Sequence, residues 1–126
     1  MEFNIEKQEN YTLVQVLAEK LDTNVAPSLK SELVLISGKG EKNIILDLNK
    51  VKYCDSSGLS AILVANRLSK NANGTFVLTG LNEAVDRLIT ISQLDTVLNI
   101  AYSTGEAEDI IQVEEENRRQ SNSENQ

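Results

Sequence analysis

The chain has 126 residues, a formal net charge of −7 at pH 7, no histidine, no tryptophan and a single cysteine, Cys54. That length fits one domain with a modest aliphatic core, and the acidic balance argues against direct binding of nucleic acid or adsorption to anionic lipid. Without histidine there is no Ser-His or Cys-His pair, and a lone cysteine forms neither an internal disulfide nor a structural zinc site, so no catalytic residue, metal site or cofactor is expected.

Phe3 and Ile5 alternate with Asn4 and Glu6, and Leu13, Val14, Val16 and Leu17 follow the polar Gln8-Glu9-Asn10, which predicts two strands joined as a hairpin. The start carries neither a basic region nor an apolar secretion signal, and no apolar run approaches membrane-spanning length, so a cytoplasmic protein is expected. Leu21-Asp22-Thr23-Asn24 offers capping chemistry for an amphipathic helix over Val25–Ser37, with Val25, Leu29, Leu33 and Ile36 on one face and Pro27 tolerated in the first turn. Ser37-Gly38-Lys39-Gly40-Glu41-Lys42 has the composition of a phosphate loop. It follows a helix and opens a strand, however, the reverse of a P-loop, and reads as a turn.

Asn43–Leu48 reads as a central strand buried on both faces. Asp47 near its end could accept a phosphoryl group or bind magnesium, but no early acidic cluster would complete such a site. Ordering of the adjacent loop is therefore the favoured role, and a receiver-like domain fits poorly. Tyr53-Cys54-Asp55-Ser56-Ser57-Gly58-Leu59 then leads into a well-buried helix over Ser60–Leu68. One of Asp55, Ser56 and Ser57 is expected to cap that helix, which leaves more hydroxyls than capping needs beside N–H groups that favour negative charge. A modified serine is the functional expectation at this junction. Cys54 has no basic neighbour in sequence and is expected to be buried and inert.

Thr75–Thr79 predicts another strand, Val85, Leu88 and Ile89 a third helix, Val97–Tyr102 a last short strand, and Ser103 with Glu106 the capping box of a short terminal helix through Ile111. The expected domain covers 1–113, followed by a disordered acidic and polar tail over 114–126. The order of elements predicts an α/β domain: a mixed, mostly parallel sheet entered by an N-terminal hairpin and packed with about four helices.

Asn43-Ile44-Ile45-Leu46-Asp47-Leu48, the following Asp55-Ser56-Ser57-Gly58-Leu59, and Leu21-Asp22-Thr23-Asn24-Val25-Ala26-Pro27 at the first helix together resemble the STAS-domain family of bacterial anti-sigma factor antagonists, over about Phe3 to Ile111. The resemblance implies a STAS fold and a non-enzymatic switch in transcription regulation. Dephosphorylated, such a protein binds an anti-sigma factor that is also a serine kinase, and frees the sigma factor. Phosphorylation by that kinase on the serine corresponding to Ser56 switches it off, and a PP2C-type phosphatase restores it. Asp22, Thr23, Asn24, Asp55, Ser56, Ser57, Gly58 and Leu59 would form the partner-binding loops. The alternative within the same fold is a constitutive scaffold subunit of a larger signalling or lipid-transport complex, indifferent to Ser56.

Overall fold

A computed structural model describes residues 2–124. The predicted hairpin is present: β1 (Phe3–Lys7) lies antiparallel to β2 (Thr12–Val16), with Phe3 opposite Val16 and Lys7 opposite Thr12. A two-residue strand, β3 (Lys20–Leu21), precedes α1 (Ala26–Gly38), whose residues Leu29, Leu33 and Ile36 are buried at helical spacing. Then come β4 (Ile44–Asp47), a second two-residue strand β5 (Tyr53–Cys54), α2 (Ser56–Asn71), β6 (Phe76–Thr79), α3 (Glu83–Ile91), a 3-10 turn at Leu94–Thr96, β7 (Asn99–Ala101) and α4 (Thr104–Glu124).

The main sheet has the order β1-β2-β4-β6-β7, with every pair after the hairpin parallel. Its middle strands are apolar on both faces because both are covered. Ile44, Leu46, Phe76 and Leu78 meet α1, α2 and α3 in the larger core, while Ile45 and Val77 meet Ala107 and Ile111 of α4 in a smaller one. The continuous Ile44-Ile45-Leu46 run is therefore the central strand that its sequence predicts. β3 and β5 were not legible as strands; among the described residues they pair only with each other, in parallel, as a separate two-stranded sheet.

The chain end departs from expectation. In place of a short helix and a disordered tail from residue 114, α4 runs unbroken to Glu124, and residues 125–126 of the expected tail lie outside the described residues. The anchoring of this extension is polar, which is why hydrophobic periodicity misses it. Arg118 donates from Nη1 to Thr75 Oγ1 at 3.0 Å and from Nη2 to Glu115. Glu115 also accepts from Asn43 Nδ2 at 3.2 Å and faces Lys42 Nζ at 3.6 Å. Two turns earlier, Tyr11 donates its hydroxyl to Glu108 at 2.8 Å. Residues 114–124 are also rich in Glu and Arg, both good helix formers.

Candidate functional site

The β3–β5 pair builds the site by placing two distant loops side by side. Lys20 is opposite Tyr53 and Leu21 opposite Cys54, Lys52 N donates to Glu19 O at 2.7 Å, and Asp55 N donates to Leu21 O at 3.3 Å. The chain leaves these paired strands as Asp22-Thr23-Asn24 on one side and Asp55-Ser56-Ser57 on the other. The hydroxyls of Thr23 and Ser57 then lie 3.2 Å apart, joining the loops directly.

Each loop is ordered by its own aspartate. Asp22 accepts the Asn24 N–H on Oδ1 at 3.0 Å, an Asx turn, and its carbonyl accepts from Val25 and Ala26 N–H at 3.1 and 2.8 Å. The capping expected of this segment is thus supplied by a backbone carbonyl; the residue at the helix boundary is Val25, with no side-chain cap, and Pro27 fits in the first turn. At α2 the three candidate caps resolve to Asp55, which sits in extended backbone and accepts the Gly58 N–H on Oδ1 at 3.1 Å, while its carbonyl accepts from Leu59 N–H at 3.0 Å. The N–H groups of Ser56 and Ser57 remain the first-turn donors without a hydrogen bond among the described residues.

The two serines are therefore not equivalent. Ser56 is exposed, and its hydroxyl makes no hydrogen bond among the described residues; Ser57 is half-buried and tied to Thr23. Thr23 and Asn24 are exposed, and Asp22 and Asp55 half-buried. Gly58 is buried where α2 crosses the two short strands: a Cβ there would stand 2.4 Å from Leu21 O and 2.5 Å from Cys54 Sγ. Leu59 is half-buried against the larger core. Gly58 and Leu59 thus sit behind the loops, holding them, while Thr23, Asn24 and Ser56 form the outer surface.

Sequence reasoning gave no role to Tyr53, the first residue of the junction segment, which is 52% exposed on β5 beside the exposed Lys20. The two-residue alternation, Tyr53 out and Cys54 in, is the signal that marks it. Nearby, Lys52 and Glu19 form an exposed ion pair at 3.4 Å. Burial, followed by the charge of Asp55, pushes the Cys54 thiol up to about 11, so it is protonated and unreactive at neutral pH. Asp47 orders its loop, accepting from Asn49 N–H at 2.8 Å and from Gln15 Nε2 at 3.3 Å. The Ser37–Lys42 segment is a turn, closed by Gly40 N donating to Ser37 O at 3.0 Å.

Among the described residues no group of three or more Cys, Asp or Glu is placed to hold a metal ion, and no helix is long and apolar enough to cross a membrane. Three surface clefts of 420 to 670 Å³ lie elsewhere and take no residue from 22–24 or 55–59. The paired loops are an outward-facing surface, suited to a macromolecular partner more than to an enclosed small molecule.

Comparison with known proteins identifies the family and the fold. The STAS domain family model matches residues 2–107. The anti-sigma-B factor antagonist of Bacillus subtilis (strain 168) is 29% identical over 102 residues, covering 80% of this chain and 93% of the relative. Among solved structures, the anti-sigma factor antagonist SpoIIAA in its unphosphorylated form superposes with a TM-score of 0.74 at 19% identity, covering 87% of this chain and 96% of that one. The phosphorylated form of the Bacillus cell fate determinant SpoIIAA superposes with a TM-score of 0.67 at 19% identity, covering 86% and 98%. The chain belongs to the STAS domain family.

Proposed function

We propose that this STAS-domain chain is an anti-sigma factor antagonist whose binding surface is formed by the 22–24 and 55–57 loops, and that phosphorylation of Ser56 switches it off. The partner is an anti-sigma factor with serine-kinase activity; when the chain is unmodified, capturing that factor releases the sigma factor. The kinase transfers the terminal phosphoryl group of its own ATP to Ser56 Oγ, the serine proton is lost and ADP leaves. A PP2C-type phosphatase hydrolyses the ester with water. The chain itself performs no catalysis.

The observation carrying this proposal is the contrast between the two serines. Ser56 presents an exposed, unengaged hydroxyl at the first position of a capped helix, whereas the Ser57 hydroxyl is engaged by Thr23. A kinase reaches Ser56 without disturbing the fold. The product carries about −1.5 to −2 charge on the partner-facing surface, beside Asp55. Desolvating that charge against a surface complementary to the unmodified loop, at a penalty of roughly 3–4 kcal/mol, weakens binding by two to three decades.

The test combines modification with binding. Incubation with native-cell lysate and ATP, followed by intact mass and site mapping, is expected to give one acid-stable phosphate on Ser56, absent from Ser56→Ala and retained in Ser57→Ala. Binding to the kinase is expected to be preserved in Ser56→Ala and weak in Ser56→Asp. Equal binding by those two variants would overturn the switch and favour a constitutive scaffold.

A further inference from the structure

A second surface, sharing no residue with the Ser56 loops, lies along the open edge of the main sheet. β7 is the last strand of that sheet and, among the described residues, pairs only with β6. Its outer side opens into a groove of about 630 Å³. The groove straddles the sheet edge. On one side stand Leu98 and Ile100, which pack with the larger core; on the other stand Ile110, which packs with the smaller core, and Val113, which is 54% exposed. The Ile110 and Val113 wall lies beyond residue 107, where the family match ends.

The rim is of one sign. Asp95, Glu106, Asp109 and Glu114 line the groove with no lysine or arginine, and none of the four forms an ion pair among the described residues. We infer that this groove receives an extended cationic segment of a partner protein, which adds as a strand to the β7 edge. A strand laid there sends alternate side chains to opposite faces, one set toward Ile110 and Val113, the other toward Leu98 and Ile100. Both walls are apolar and both are flanked by carboxylates. The fitting occupant therefore carries two adjacent aliphatic residues, one for each wall, flanked on both sides by lysine or arginine. Main-chain hydrogen bonds to β7 give it affinity, and the carboxylates reject acidic or uncharged sequences of the same shape.

The probe is a capped hexapeptide with two central valines between two pairs of lysines, titrated into the full chain at 0.15 M salt and followed by amide NMR. Shifts are expected at Asn99–Ala101 and along the α4 wall, with none at 22–24 or 55–57. The double variant Asp109→Lys with Glu114→Lys is expected to weaken the peptide by at least about tenfold and to bind the glutamate–valine counterpart instead. N-methylation of alternate peptide bonds, which removes strand donors and keeps every charge, is expected to abolish binding. Equal binding by the N-methylated peptide, or by the double variant with its circular dichroism unchanged, would overturn the inference. So would the absence of any shift at millimolar peptide, or a concentration-dependent dimer of the chain that the double variant dissolves, which would assign the edge to a second copy.

Discussion

At Gly58 a single hydrogen atom in place of a side chain holds the site together. Its Cα lies where the start of α2 meets Leu21 and Cys54, and the nearest obstacle to a methyl group is a backbone carbonyl, which cannot swing aside. Gly58→Ala is expected to push α2 away from the β3–β5 pair, costing about 1–3 kcal/mol as overpacking does elsewhere. It should also lengthen the Thr23–Ser57 contact, so affinity for the partner falls together with the thermal midpoint. Gly38 is the control. It ends α1 with open space around its Cα, and Gly38→Ala is expected to leave stability unchanged or raise it by up to about 1 kcal/mol. A thermal melt of both variants is the check; equal melting of Gly58→Ala and the parent would show that the crossing relaxes freely and does not fix the loops.

At the scale of elements, what the sequence reveals is decided by whether the holding force is apolar. The Leu29, Leu33 and Ile36 spacing marks α1, and the Ile44–Leu46 run marks the doubly covered β4, because burial writes itself as hydrophobic periodicity. The Asp-Ser-Ser-Gly stretch was legible as a strand-to-helix junction, although which residue capped it was settled only by the Asp55–Gly58 bond. β3 and β5 were illegible since two residues carry no period, and the α4 extension was illegible since Arg118 and Glu115 anchor it through polar groups. That anchor makes α4 sensitive to acid. Burial alone would raise the Glu115 carboxyl, but hydrogen bonds from Arg118 and Asn43 and the charges of Arg118 and Lys42 outweigh it and hold the group below its usual value. A carboxyl depressed in the folded state contributes stability above its unfolded value of about 4.3, and loses it as pH falls through the folded value. Helix content is therefore expected to drop on acidification below about pH 4, earlier in Arg118→Ala, which should also lose about 1–2 kcal/mol of docking at neutral pH. Circular dichroism across that range and a carboxyl-carbon NMR titration of Glu115 read both effects. Identical acid profiles for parent and variant would remove Arg118 as the anchor.

For the molecule as a whole, the proposed switch operates without a change of fold, and this has a measurable consequence. The Ser56 hydroxyl takes part in no described hydrogen bond and Ser56 lies outside both cores, so its modification removes no packing and breaks no cap. The new charge meets two opposing local terms. The start of α2 attracts it, at about 0.3–1 kcal/mol for a group in the first turn, and Asp55 repels it by a comparable amount across exposed, solvent-screened distances. These nearly cancel within the free protein. In the complex there is no such cancellation, because the partner surface must be brought against a dianion and desolvated. Chain phosphorylated on Ser56 is accordingly expected to melt within a few degrees of the unmodified chain and to keep its amide spectrum outside residues 22–24 and 52–59, while losing two to three decades of affinity for the kinase. Calorimetry, amide NMR and a binding titration on the same two samples separate the possibilities. If spectral changes spread through the sheet to α4, the modification acts through the cores, and the switch is conformational instead of a change in the chemistry of one exposed surface.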